Sequence, residues 1–171
     1  MKKSFIFCVS LLLMFSGCSS NDTASDDNPG QISLSETSHS DCASHTRGDD
    51  EFSIARKLKL TYNALDKTIT GEYINYILSC DYTDAGINIE QDADGTLILN
   101  PWNVAENMVD CICHINIYFT IRNATMQNYH LILNRRTVTV VDSNGSTHQE
   151  TWTDYDDYIS FKDKSTATID L

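Results

Sequence analysis

Basic side chains are scarce in this chain. Its 171 residues include 12 Lys and Arg against 24 Asp and Glu, a formal charge of −12. A nucleic-acid partner, or an anionic lipid surface held by net electrostatics, calls for a basic face, and this balance argues against both. Long apolar runs are also missing. The stretch from Phe5 to Phe15 falls short of the about 20 residues that cross a bilayer as a helix. The chain is too short for the many long alternating strands of an outer-membrane barrel. It contains no Gly-rich phosphate loop, no H-E-x-x-H and no G-x-S-x-G, so none of the reactions those motifs mark is indicated. Sustained helical periodicity is lacking too. Asn100-Pro101-Trp102 is the one candidate helix start, with Asn100 as cap and Pro101 at the first helical position.

The N-terminus carries more information. Lys2 and Lys3 precede the apolar run, and Ser16-Gly17-Cys18 closes it. A basic start, a short apolar core and small residues at the end read as a removable export signal. The segment resembles a bacterial lipoprotein signal peptide with its lipobox, departing only at Phe15, where leucine is commonest. The resemblance implies cleavage before Cys18 and acylation of that cysteine. More than one acyl chain there would make the attachment stable. We therefore expect a signal at 1–17, a lipidated Cys18 heading an acidic, disordered tether over 18–50, and one domain over 51–171. Losing Lys2 and Lys3 with the signal leaves 10 basic and 24 acidic residues, a formal charge of −14. In the tether, Asp22, Asp26 and Asp27 resemble a surface-export signal of Bacteroidota lipoproteins. Asp22-Thr23-Ala24 resembles the short O-glycosylation motif of that group, with Thr23 as acceptor. The expected location is the outer membrane, lipid-anchored and facing the cell surface.

The remainder alternates with the period of strands. Leu58, Leu60 and Tyr62 interleave with Lys59 and Thr61, and Ile115, Ile117, Phe119 and Ile121 interleave with Asn116, Tyr118 and Thr120. Further strands are expected at 68–70, 73–82, 87–89, 97–99, 129–133, 138–141, 147–152, 158–161 and 166–171. Asp92-Ala-Asp-Gly95 and Asp142-Ser-Asn-Gly145 read as hairpin turns, the second with the Asn-Gly pair that suits a type I′ turn. Many short strands punctuated in this way predict an all-β domain: a small antiparallel β-sandwich, Ig-like in general architecture.

Of the six cysteines, Cys8 leaves with the signal and Cys18 is taken by lipid, leaving Cys42, Cys80, Cys111 and Cys113. An even number in an exported chain points to disulfides. Cys111 and Cys113 lie two apart on one face of a strand, too far apart at Cβ to bridge each other, so each takes a different partner. We expect Cys80–Cys111 and Cys42–Cys113. A zinc site built from Cys80, Cys111, Cys113 and His114 is disfavoured, because C-x-C-H does not match the usual C-x₂₋₄-C spacing.

Asn75-Tyr-Ile-Leu-Ser-Cys80, Gly86-Ile-Asn-Ile-Glu90, Gly95-Thr-Leu-Ile-Leu99, the run Asp110-Cys-Ile-Cys-His-Ile-Asn-Ile-Tyr-Phe-Thr-Ile121, and Tyr129-His-Leu-Ile-Leu133 together resemble a group of Bacteroidota envelope lipoproteins. That group pairs an early cysteine strand with a later C-x-C strand. The likeness spans about Leu58 to Val140. It departs where relatives often carry a double cysteine and this chain has Cys80 alone. It implies a small β-sandwich at the cell envelope and brings no activity with it.

Candidate chemistry is sparse. His114 and His130 read as strand-face or core residues. Asp154, Asp156 and Asp157 are the weak candidates for calcium, though their spacing does not match an EF-hand loop. Trp102, Trp152, Tyr155 and Tyr158 are the candidates for stacking on sugars. No cofactor is expected. The expected function is that of a non-enzymatic binding or accessory module held at the membrane by its lipid. Its partner would be a glycan or an outer-membrane protein rather than nucleic acid. The alternatives are a carbohydrate-binding lipoprotein of a glycan-uptake system and a small hydrolase.

Overall fold

The computed structural model describes residues 31–43, 45–46, 54–105, 111–141, 143 and 145–171. The signal, Cys18 and Thr23 lie outside them. The described residues are all-β, in two sheets stacked as a sandwich. None of them forms a helix long and apolar enough to cross a membrane.

The described residues form ten strands: β1 (Ser33–His39), β2 (His45–Thr46), β3 (Lys57–Asn63), β4 (Thr68–Ser79), β5 (Tyr82–Gln91), β6 (Leu97–Ala105), β7 (Ile112–Arg122), β8 (Asn128–Val141), β9 (Thr147–Ser160) and β10 (Thr166–Asp170). Sheet A runs β1-β7-β4-β3-β10, with β2 continuing the edge of β7 beyond β1, and sheet B runs β5-β6-β8-β9. Leu58, Leu60, Ile69, Tyr73, Ile115, Ile117 and Ile121 of sheet A face Ile87, Leu97, Leu99, Leu131 and Leu133 of sheet B, all essentially inaccessible to water. Each such aliphatic side chain contributes about 1.5–3 kcal/mol relative to exposure.

The structure departs from the sequence expectations in four places. The segment expected as a disordered tether contains β1 and β2, which pair with β7, so the sandwich begins at residue 33. An edge strand of serine, glutamate and threonine looks like a solvated linker by composition. Here its backbone is satisfied by β7, and Cys42 is bridged to Cys113 beside it. Second, Asn100-Pro101-Trp102 is not a helix start but part of β6, where Pro101 sits just past the end of the β6–β8 ladder at Leu99–Leu133. A proline, which lacks the N–H, is tolerated where a ladder stops. Third, β6 and β8 run parallel over Leu97–Leu99 and Leu131–Leu133, so sheet B is mixed rather than purely antiparallel. Fourth, pairs of strands expected as separate segments merge into the long β4, β8 and β9.

Both disulfides form, Cys42–Cys113 and Cys80–Cys111, each with Cα atoms 5.5 Å apart. They close loops of 71 and 31 residues, for which chain entropy alone predicts about 4 kcal/mol of stabilisation apiece. Where the chain crosses from β7 to β8, the buried Tyr129 hydroxyl accepts the Thr125 amide at 2.7 Å and donates to the Thr125 carbonyl at 2.9 Å. Greek-key sandwiches use a tyrosine in this way to hold a crossover corner.

Irregularities in the ladders are placed with purpose. Asn75 is the extra residue on β4 between Tyr73 and Tyr76 and adopts φ 59°. Asparagine tolerates this left-handed conformation. Its amide N–H donates to Asn116 at 3.1 Å and its side chain donates to the Ala55 carbonyl at 2.7 Å. On the β8–β9 hairpin the register skips Asp154 on one strand and Arg135 on the other. A bulge of this kind re-aims its extra residue, and these two meet: Arg135 Nε donates to Asp154 Oδ1 at 2.7 Å.

Asp154 is the hub of a contact between the sheets. Its side chain is 3% exposed. Arg56, just before β3, donates to it at 2.5 and 3.3 Å, and the Tyr73 hydroxyl of β4 donates at 2.9 Å. Burial alone would raise the Asp154 carboxyl. Hydrogen bonds from Arg56, Arg135 and Tyr73 overcome that and hold it below the ordinary carboxylate range. Burial, joined by the charge of Asp154, pushes the Tyr73 hydroxyl well above its usual value, so it stays a donor.

The folded-state value for Asp154 is depressed. Its contribution is therefore complete above the unfolded value of about 3.9 and is lost as pH falls through the folded one. Asp154→Asn leaves two arginines facing a neutral amide, Arg56 with its side chain only 14% exposed, and is expected to cost about 3 kcal/mol at neutral pH. Denaturant titrations of both proteins check this: the gap between them should be full at neutral pH and should narrow steadily below about pH 4.

Candidate binding face

Strand alternation turns one set of side chains of sheet A outward. With Leu58, Leu60, Ile69, Tyr73, Ile117 and Ile121 committed to the core, Lys59, Thr61, Thr70, Glu72, Tyr118 and Thr120 face solvent. The registers align them in two rows across four strands: Lys59, Glu72, Tyr118 and Ser38 in one, Thr61, Thr70, Thr120 and Glu36 in the other. Together they line an open groove of about 330 Å³.

Gly71 and Phe119 contribute to its lining and face each other across β4 and β7. A Cβ on Gly71 would lie 2.0 Å from the Phe119 ring, so the ring occupies the place of the absent side chain and closes the floor from beneath.

The polar groups of this groove are largely unspent. Asn116 Nδ2 reaches Glu72 and the Tyr118 hydroxyl only at 3.4 Å each. Among the described residues Glu36, Lys59 and Glu72 form no ion pair. Tyr118 stands 39% exposed between them. A half-open trough with one aromatic ring, hydroxyls and carboxylate and ammonium groups can accept and donate hydrogen bonds to a small polar ligand and stack on its ring.

The outer face of sheet B is built differently. Thr96, 4% exposed, donates its hydroxyl proton to Asp94 at 2.7 Å, lies 3.0 Å from His130 Nδ1, and donates its amide N–H to both Asp92 and Asp94. His130 Nε2 lies 2.7 Å from Asp156, and the imidazole stacks on Tyr158 at 4.9 Å. A hydrogen bond with Asp92, then those from Thr96, hold the Asp94 carboxyl down at about 2, with a smaller contribution from His130.

Hydroxyl, imidazole and carboxylate stand in the order of a hydrolytic triad. Here, however, the hydroxyl is buried and its proton is engaged by Asp94. Two rows further along, Thr153 donates to Asn134, Asn134 to Asn100, and Asn100 to Glu90. These groups are consumed by one another and tie the strands together.

The sugar-stacking candidates are not gathered into one platform. Tyr158 is 68% exposed on the His130 ring, whereas Tyr155 packs against the core and donates to the Tyr158 carbonyl at 3.4 Å. Trp102 is half-buried across Gly86, and Trp152, 47% exposed, lies on the hairpin beyond the Asp154 bulge.

The calcium candidates are not assembled as a site. Asp154 is saturated by two arginines and a tyrosine, Asp156 faces His130, and Asp157 accepts the Tyr158 amide. Among the described residues no group of three His, Cys, Asp or Glu side chains is placed to hold a metal. All three cysteines of the candidate zinc site, Cys80, Cys111 and Cys113, are in disulfides, which removes the thiolates such a site needs. His114 is buried on β7, in keeping with the core role expected of it.

Sequence reasoning passed over the groove because its residues carry no motif. The available signal was the alternation of Asn116, Tyr118 and Thr120, which already placed a tyrosine on a polar strand face. No protein-family model, curated protein or solved structure matches the chain.

The two faces should respond oppositely to mutation. Tyr118→Ala, on the unspent face, is expected to change stability by no more than about 0.5 kcal/mol. Thr96→Val, which strips a buried hydroxyl from both Asp94 and His130, is expected to cost about 1–3 kcal/mol. Thermal or denaturant unfolding of the two variants measures both.

Proposed function

We propose that this protein is a lipid-anchored module of the outer membrane that binds rather than transforms its ligand, and that the ligand is a saccharide held in the groove of sheet A. The observation that carries this reading is the pairing of an exposed ring, Tyr118, with polar side chains of both signs that form no ion pair among the described residues. Sugar hydroxyls both donate and accept, so Glu36, Glu72, Lys59 and the threonine hydroxyls can each serve them, while Tyr118 covers a ring face. The sandwich itself, stapled twice and internally hydrogen-bonded, is a rigid support that need not reorganise on binding. The anchor and export come from the likeness of residues 1–18 to a lipoprotein signal, and the surface orientation from the acidic residues after Cys18.

Two measurements test the reading. The intact mass of protein extracted from membranes should correspond to a chain beginning at Cys18, bearing acyl chains, and lacking the four hydrogens that two disulfides remove. Unmodified protein retaining residues 1–17 would overturn the anchor. On a glycan array the protein should retain at least one class of saccharide. Tyr118→Ala should weaken it about 30-fold or more, as loss of a central contact does, while Tyr158→Ala on sheet B leaves it unchanged. Retention of no glycan, or equal loss in both variants, would overturn the assignment.

A further inference from the structure

The chain enters the sandwich at one particular end. Gln31 is the first described residue, and its carbonyl accepts the Asn123 side chain at 2.8 Å in the β7–β8 turn. Three loops converge there. The Ala124 amide donates to the Lys67 carbonyl of the β3–β4 turn at 2.9 Å, the Phe161 amide donates to Gln127 at 3.1 Å, and the Tyr62 amide donates to Ser165 at 2.7 Å. A hollow of about 200 Å³ between them is lined by Tyr62, Ala64, Met126 and Phe161 together with Lys162 and Lys164.

Two aliphatic side chains project from these loops. Leu65 is 93% exposed and Met126 is 55% exposed. Around them stand Lys67, Arg122, Lys162 and Lys164, four of the ten cations left after signal removal, with Asp66 and Asp163 as the acids of the same loops. Asp92 and Asp94 lie at this end as well, in the β5–β6 turn of sheet B, held by Thr96, which stands 3.0 Å from His130 near the start of β8. At the opposite end, where β4 runs into Cys80 and β3 begins, Asp41, Asp81 and Asp84 stand with Lys57, which is paired with Asp170, and Arg56, which is paired with Asp154. A chain whose net charge argues against an anionic surface therefore still carries four cations against two acids on these three loops, which also hold Leu65 and Met126, the most exposed aliphatic side chains among the described residues.

We infer that the loops 63–67, 122–127 and 161–165 form a surface that docks on the anionic phospholipid bilayer in which the protein is anchored. This rests on the lipid-anchor reading above. Twelve residues lie between Cys18 and Gln31, and a chain of that length behaving as a random coil would hold its ends about 20 Å apart on average. The end nearest the membrane is thus the one that carries Leu65, Met126 and the lysines. Leu65 and Met126 enter the boundary between headgroups and acyl chains, while the lysines lay their stems on the apolar tips and their ammonium groups against phosphates. Docking in this way leaves the groove of sheet A, on the flank of the sandwich, open to its ligand.

The test uses the chain from Cys18 to Leu171, which contains the whole described sandwich. Cys18 is its one thiol outside the two disulfides and couples to a maleimide-bearing lipid. The coupled protein is placed in phospholipid nanodiscs of phosphatidylcholine, with or without phosphatidylglycerol, that carry a spin-labelled lipid. Amide resonances of the three loops should broaden, while those of residues 80–84 should not. Leu65→Ser with Met126→Ser should reduce that broadening severalfold. Without coupling, Lys162→Gln and Lys164→Gln should each lower partitioning to phosphatidylglycerol vesicles about fivefold. Broadening spread evenly over the domain, broadening at the opposite end, or variants that behave as the parent would each overturn the proposal. Because the coupling supplies the anchor chemically, failure here condemns the docking surface, whereas the anchor itself stands or falls on the intact mass.

Discussion

A buried carboxylate at Asp154 is the constraint around which the two sheets are fitted together. A charge at 3% exposure is tolerable only when it is paired and its lone pairs are filled. Meeting that requirement takes Arg56 from the entry to β3, Tyr73 from the middle of β4 and Arg135 from β8, side chains from both layers of the sandwich. It also takes two bulges. Arg135 and Asp154 are the residues skipped in the β8–β9 register, and without the skips strict alternation would fix their side chains on faces set by their neighbours. An apolar core packs in many ways of similar energy. A buried ion with four hydrogen bonds tolerates little displacement, which gives this cluster a role in setting the relative position of the sheets.

The disulfides do related work at the other side of the molecule. Residues 33–46 are too polar to form a strand on hydrophobic burial alone. They hold their place by backbone pairing along β7 and by the bridge from Cys42 to Cys113, while Thr37 reaches across to the Ile87 amide of β5 at 3.3 Å. An edge strand that would otherwise fray is thus joined to both sheets. The chain upstream of it leaves from the end of the sandwich opposite the Cys80–Cys111 bridge. A stable edge at this position also supplies Glu36 and Ser38 to the groove.

Much of the core could be read from the chain. Leu58, Leu60 and Tyr62, and Ile115 to Ile121, alternate strictly and are buried as that alternation requires. Spacing excluded a bridge between Cys111 and Cys113, while which of them pairs with Cys42 and which with Cys80 is decided by strand order. The candidate site was less legible. Trp102, Trp152, Tyr155 and Tyr158 drew attention as large aromatics, yet strand order scatters them. The groove instead joins Tyr118 to Lys59, Glu72 and Glu36, residues from four strands whose adjacency only the sheet order reveals. The acids of β9 likewise looked like one cluster, until the bulge sent Asp154 inward and left Asp156 to His130.

Sequence alone determined the period-two pattern, hence the strands and their buried faces, because side-chain direction along a strand is a local property of the backbone. It also determined the acidic balance and excluded a bridge between Cys111 and Cys113. Tertiary structure decided the rest: the strand status of Ser33–His39, the parallel contact of β6 with β8, and which polar groups consume one another and which stay unspent. Each of those depends on residues 20 to 100 positions apart being brought within hydrogen-bonding distance, as Arg56 and Asp154 are across 98 positions. No local propensity encodes that distance; it is settled when the two sheets close on each other.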